Sequence, residues 1–101
     1  MEVIEIKDNE LESIVNNNNK VVIDCYAPWC GPCKMLSPII DELAGEVNDT
    51  KFYKINIDEN EEVTEKYSIM SIPTILYFKD KELKQQIVGF KTKEELKEFI
   101  K

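Results

Sequence analysis

The sequence predicts an α/β fold, a central mixed sheet with helices on both faces, in the order βαβαβαββα. Two observations carry this. Short β-branched and aromatic runs alternate with stretches whose apolar residues follow the i, i+3, i+4 spacing of a helix. Only the last two strand-like runs are joined by a tight turn instead of a helix. Strands separated by helices should therefore be parallel with right-handed crossovers, and the final pair antiparallel.

The elements follow in order. Val3 to Ile6 forms a short first strand. Asp8 stands where it can cap a helix whose apolar positions Leu11, Ile14 and Val15 share one face, and Asn16 to Asn19 end it, since Asn tolerates left-handed backbone and bonds its own chain. Lys20 to Ala27, with Val21-Val22-Ile23 and Tyr26, reads as a central strand covered on both faces. After Pro28 the period becomes helical. Met35, Leu36, Ile39, Ile40, Leu43 and Val47 make one apolar stripe, and Pro38 within it should kink the helix by removing a backbone donor. Phe52 to Ile57 is the next strand, and Glu61 to Tyr67 a short helix with an acidic first turn that suits its dipole. Thr74 to Phe78 and Glu82 to Val88 form a hairpin across Asp80-Lys81. Thr92 and Glu95 make a capping box for a last helix that turns Leu96, Phe99 and Ile100 inward.

Composition bounds the function. The 101 residues fit one domain, 1–101, large enough to bury about two-thirds of its unfolded surface. No stretch approaches the roughly 18 consecutive apolar residues of a membrane helix, and Met1-Glu2-Val3-Ile4-Glu5 lacks the basic start and apolar core of a signal peptide. The expectation is a cytoplasmic protein that does not engage membranes. Thirteen Lys, no Arg and twenty acidic residues give a formal charge of −7. That charge repels phosphate backbones, and without Arg there is no bidentate fork for phosphate or guanine, so nucleic-acid binding is not expected. The absence of His removes Ser-His-Asp and Cys-His nucleophiles and His-ligated zinc or haem. Proton chemistry near neutral pH then falls to a perturbed Cys, carboxylate or Lys.

The three cysteines point to redox chemistry. An odd count without an export signal is a poor disulfide scaffold, and a structural bridge closing so short a loop stabilises by only about 2 kcal/mol. One Cys pair with no second pair and no His is likewise a poor zinc site. Cys30 and Cys33 lie in Trp29-Cys30-Gly31-Pro32-Cys33-Lys34, at the junction of the central strand and the following helix. Sites in open α/β sheets gather at the carboxyl ends of strands, and helix N-termini stabilise anions. The Cys30 thiol should be acidified there and act as nucleophile, while Cys33, one turn into the helix, should be less exposed and act as the resolving thiol. Gly31 allows a tight turn, and Pro32 suits the first helical position. The alternative for each Cys is an inert buried thiol. Gly31-Pro32 adds no charge or donor that would further stabilise the Cys30 thiolate, and a less stabilised dithiol is the stronger reductant, so reduction of substrates is expected.

Trp29-Cys30-Gly31-Pro32-Cys33, preceded by Asp24 and followed by Pro38, Ile72-Pro73-Thr74 and Gly89, resembles the thioredoxin family over essentially the whole chain. The resemblance implies the thioredoxin fold and a protein disulfide reductase that works by dithiol–disulfide exchange, ending as a redox-active Cys30–Cys33 disulfide with no bound cofactor and no metal. It implies that Asp24 lies beneath the two sulfurs and takes the proton of the resolving thiol, with Lys54 as its partner. An unpaired carboxylate on a buried strand is costly and should have a raised pKa, which agrees; a buried Asp satisfied by hydrogen bonds is the plain alternative. It also implies a cis Ile72-Pro73 bond facing the cysteines, where the Ile72 backbone pairs with an extended substrate. Trp29, Ile72, Pro73 and Gly89 then form an apolar rim for substrate chains. The implied partners are a thioredoxin reductase and disulfide-containing substrate proteins, and the chain is expected to be a monomer.

Three features depart from the family. Tyr26 stands where thioredoxins usually have Trp, Asp80-Lys81 occupies a hairpin that commonly carries Gly, and Cys25 is extra and should pack as a small hydrophobe. Two rivals remain: a thiol oxidase or isomerase of the same fold, and a non-catalytic subunit that holds a partner through the Trp29 and Pro73 surface.

Overall fold

The computed structural model describes residues 2–101. Its elements are β1 (Ile4–Glu5), α1 (Asp8–Asn16), β2 (Lys20–Tyr26), α2 (Gly31–Glu46), β3 (Lys51–Asn56), α3 (Glu61–Lys66), β4 (Thr74–Lys79), β5 (Glu82–Val88) and α4 (Lys93–Phe99). The expected order of strands and helices is reproduced. The five strands lie side by side as β1-β3-β2-β4-β5. Among the described residues no helix is long and apolar enough to cross a membrane.

The sheet is mixed, but one connection differs from expectation. β1 and β2 both run parallel to β3, whereas β4 runs antiparallel to β2 although α3 separates it from β3. Helix α3 supplies only six residues of the connection 57–73, and the chain re-enters the sheet at the end it left instead of crossing back over it. The consequence is functional: the start of β4 is brought beside the end of β2, with Thr74 opposite Cys25.

Alternation along the strands divides the core. Val22, Phe52, Ile75 and Tyr77 face Leu36, Ile40, Leu43, Leu96 and Ile100 of the α2 and α4 side. Val21, Ile23, Cys25, Ile55, Leu76 and Phe78 face Leu11, Val15 and Val63 of the α1 and α3 side. Met35 does not join the α2 stripe and is 63% exposed. At 100° per residue it falls off the face set by Cys33, Leu36, Ile40, Leu43 and Ala44. Pro38 sits inside α2, which continues past it to Glu46.

Turns and caps refine the expected picture. Asp80 and Lys81 both have positive φ, 53° and 71°, the signature of the two-residue type I′ hairpin turn even without Gly. Phe78 pairs with Leu83 and Tyr77 with Gln85, which leaves Lys84 as the extra residue of a bulge. The Asn run ends α1 through side chains and not through left-handed backbone. The Asn17 and Asn18 amides donate to the Ser13 and Ile14 carbonyls, both at 2.8 Å. Asp8 does not cap its own helix. Its carboxylate accepts the Glu62 and Val63 N–H groups at the start of α3, at 3.1 and 3.0 Å, while Asn60 Oδ1 accepts the Asp8 N–H at 2.9 Å. The two helices are thus capped across one another. Thr92 and Glu95 form the expected reciprocal box on α4.

Candidate active site

The carboxyl end of β2 passes through buried Ala27 into a turn closed by the Cys30 N–H donating to the Ala27 carbonyl at 3.2 Å. Cys30 is the N-cap of α2, and its Sγ accepts the Cys33 N–H at 3.2 Å. A sulfur at this position receives a backbone donor and the positive end of the helix dipole, both of which favour a thiolate. Cys30 and Cys33 are joined as a disulfide, with Cα atoms 5.2 Å apart.

Three expectations about this loop are corrected. Helix α2 begins at Gly31, so Pro32 occupies the second helical position, where its missing N–H is still one no helix carbonyl would accept. Gly31 is not in left-handed backbone and a Cβ on it would meet nothing within 4 Å; the turn does not require glycine there. Cys33 is not less exposed than Cys30, since both are 4% exposed. What separates them is their position on the helix. Cys30 receives the amide of Cys33, while Cys33 lies one turn in.

The reversed entry of β4 supplies the opposite wall. Ile72-Pro73 is cis, and the Ile72 carbonyl oxygen lies 3.8 Å from Cys30 Sγ. The Gly89 N–H donates to the Pro73 carbonyl at 2.8 Å from a backbone with φ of 91°, a conformation that favours glycine. Ile72 and Gly89 are half-buried and Pro73 is buried. Trp29 is 69% exposed, and its Nε1–H donates to Asp58 Oδ2 at 2.8 Å. Trp29, Ile72, Pro73 and Gly89 thus gather at one end of the sheet around the disulfide.

Asp24 is buried on β2 and lines a cavity that Cys33 also lines. It shares that cavity, of about 150 Å³, with Cys33, Ser37, Lys54 and Tyr26. Its Oδ1 is buried without a hydrogen-bond partner in the protein. Burial pushes the Asp24 carboxyl up from 3.8 to about 7, against the opposing pull of Lys54, with Asp41 and Glu5 adding in the same sense as burial. Lys54 stands directly opposite Asp24 in the parallel β2–β3 register. Cys25 points the other way, into the α1 and α3 side of the core, where burial first and the Asp24 charge second push its thiol up. It packs as the small hydrophobe expected of it.

Sequence reasoning missed several residues here. Asp58, which holds Trp29, follows β3 at the same carboxyl edge as the cysteines, and that placement rule could have flagged it. Met70, two residues before Ile72, is 94% exposed; between Ile69 and Ser71 it reads as core filler, and no spacing marks it. The Tyr26 hydroxyl donates to both carboxylate oxygens of Glu5 at 2.7 Å, a pairing invisible without the register of β1.

With this geometry in view, the likenesses are specific. The family profile described as Thioredoxin matches residues 2–101. The thioredoxin of Bacillus subtilis is 45% identical over 101 residues, covering 99% of this chain and 96% of that one. A mutant thioredoxin from Halobacterium salinarum NRC-1 superposes with a TM-score of 0.91 at 36% identity, covering 98% of this chain and 88% of that one. A chain solved in work on the thiol resolving mechanism in yeast mitochondrial 1-Cys peroxiredoxin via glutathione/thioredoxin systems has a TM-score of 0.91 at 30% identity, covering 97% of this chain and 92% of that one.

Proposed function

The chain belongs to the thioredoxin family of disulfide oxidoreductases, and from that premise we propose how its own residues reduce protein disulfides. The observation that carries the reading is the Cys30–Cys33 pair set at the N-terminus of α2, with Asp24 in the cavity behind Cys33. In the reduced protein the Cys30 thiolate attacks one sulfur of a substrate disulfide. A Cys30–substrate disulfide forms and the other substrate sulfur leaves as thiolate. Asp24, a carboxyl poised at about 7, takes the Cys33 proton through the cavity, as a base matched to neutral pH should. Cys33 thiolate then attacks the Cys30 sulfur and releases the second substrate thiolate. Two electrons have moved to the substrate, and the chain is left as the Cys30–Cys33 disulfide.

Lys54 moderates Asp24, keeping its proton affinity below what burial alone would set. Trp29, Ile72, Pro73 and Gly89 receive the substrate chain, with the free Ile72 backbone pairing with an extended segment as in strand addition. Gly31 and Pro32 leave the disulfide uncluttered, since Gly31 presents open space. The exchange uses sulfur chemistry alone and needs no bound cofactor or metal. Residues 1–101 work as one domain and as a monomer, in the cytoplasm, where a thioredoxin reductase returns electrons to Cys30–Cys33. Disulfides of peroxide-reducing enzymes are a fitting substrate class, given the peroxiredoxin context of one structural relative.

The test is turnover of a protein disulfide with dithiothreitol as electron source. Cys30→Ser should abolish it. Cys33→Ser should stall as a covalent adduct with the mass of one substrate chain, whereas a binding subunit would keep its partner without either Cys. A reduction potential near those of strong oxidants, measured against glutathione, would exclude the reductase direction in favour of an oxidase or isomerase.

A further inference from the structure

On the face of the sheet that carries Asp24, three charged residues occupy one cross-strand row. Glu5 on β1 pairs with Lys54 on β3, and Lys54 pairs with Asp24 on β2. Paired residues of parallel strands direct their side chains to the same face, so an acidic residue stands on either side of Lys54 in the row. Among the described residues no ion pair within 4.0 Å joins any of the three. Tyr26, two residues beyond Asp24 and on the same face, reaches across β3 to donate its hydroxyl to the Glu5 carboxylate at 2.7 Å. Tyr26 lines both the cavity that holds Asp24 and Cys33 and a groove of about 310 Å³ that opens beside Glu5, Lys7 and Glu59. Tyr26, tethered through its hydroxyl, is the residue that the two linings share.

We propose that Glu5 and Tyr26 are positioning residues for Asp24: Glu5 anchors the Tyr26 hydroxyl so that the ring walls the Asp24–Cys33 cavity, and it shares the charge of Lys54 so that Asp24 has no counter-ion of its own. This rests on the reading of Asp24 as the acceptor of the Cys33 proton. A carboxylate fully paired with an ammonium is a weak base, while one that is dry and only partly compensated holds a proton near neutral pH. The other groups facing Asp24 are few. Asp41 of α2 acts in the same sense as Glu5, Lys54 acts against both, Lys34 and Cys33 of α2 line the cavity, and β4 presents apolar Ile75 opposite Asp24.

The experiment follows the carboxyl carbon of Asp24 by 13C NMR through a pH titration of the oxidised protein. Glu5→Gln removes the competing charge and Tyr26→Phe removes the anchor while keeping the ring. Each should lower the Asp24 midpoint by roughly 0.3 pH unit or more, an effect expected of one charge at this range or of water reaching the carboxylate. Glu59→Gln removes a charge from the same groove but not from the row, and should leave the midpoint in place. Midpoints unmoved in both Glu5→Gln and Tyr26→Phe, or moved equally by Glu59→Gln, overturn the proposal. A second readout, the pH profile of disulfide reduction, should shift the same way in each variant and not in an Asp24→Asn background. If the midpoint moves while the profile does not, the positioning role stands and it is the assignment of Asp24 to proton transfer that fails.

Discussion

Asp24 and Lys54 face one another across the β2–β3 pairing, yet Asp24 Oδ1 is buried without a hydrogen-bond partner in the protein. Burial thereby outweighs the ammonium, and the carboxyl sits near 7 in place of 3.8. The folded state binds this proton more tightly than the unfolded chain does. Stability therefore declines as pH rises from about 4 to about 7 and is flat above, and the full penalty, about 3 pH units at about 1.4 kcal/mol each, is on the order of 4 kcal/mol. Asp24→Asn should raise the denaturation midpoint at pH 8, by on the order of 2–4 kcal/mol, and gain about 2 kcal/mol less at pH 5.5. Denaturant melts at the two values check this; an equal gain at both would show that Asp24 is ionised throughout.

Lys54 opposes burial, so its removal has a definite sign. Lys54→Gln deletes a positive charge that favours the ionised carboxyl, and the Asp24 midpoint should climb by about half a pH unit. If Asp24 receives the Cys33 proton, the acid limb of disulfide reduction should move to higher pH by the same amount. Rates measured from pH 5.5 to 9 decide it, and a limb that stays in place would separate Lys54 from the reaction.

Trp29 owes its orientation to Asp58. An indole N–H to carboxylate bond at an exposed site contributes on the order of 0.5–1 kcal/mol, so Asp58→Ala should lower kcat/KM for a protein disulfide about 2- to 5-fold through KM. The fold should be unaffected, because neither partner is buried. Trp29 is the one tryptophan of the chain, so its fluorescence reports the loosened ring directly. Unchanged kcat/KM together with altered fluorescence would mean that substrates do not read the Trp29 orientation.

Much of the fold and site is legible in the sequence because it depends on local periodicity and on one motif. The alternation of strand and helix, the Thr92–Glu95 box and the placement of Cys30 and Cys33 at a strand–helix junction all follow from residues within a few positions of each other. What is not legible depends on register. The antiparallel entry of β4 turns on the end of the sheet to which the connection 57–73 returns, the Glu5–Lys54–Asp24 row on which residue of β1 meets β3, and the equal burial of Cys30 and Cys33 on the loop that carries Ile72-Pro73. The role of Asp8 escapes sequence reasoning for the same reason. Its side chain satisfies a helix 54 residues away, and no spacing rule reaches that far.

Asp8 accepts two N–H groups of α3, whose own N-cap residue, Asn60, instead accepts the Asp8 N–H and donates to the Asn56 carbonyl. A six-residue helix is too short to hold itself in water, so its start depends on this borrowed carboxylate and on its buried Val63. Asp8→Ala should destabilise the protein by about 1–2 kcal/mol, the range of a lost N-cap, with Asp8→Asn recovering most of it, since an amide oxygen can still accept. Because α3 leads into the segment that carries Ile72 and Pro73, amide exchange from Glu62 to Tyr67 should accelerate in Asp8→Ala while that of β2 stays slow. Global loosening, with β2 and α3 exchanging together, would instead make the Asp8 contact part of the core and not a local clasp.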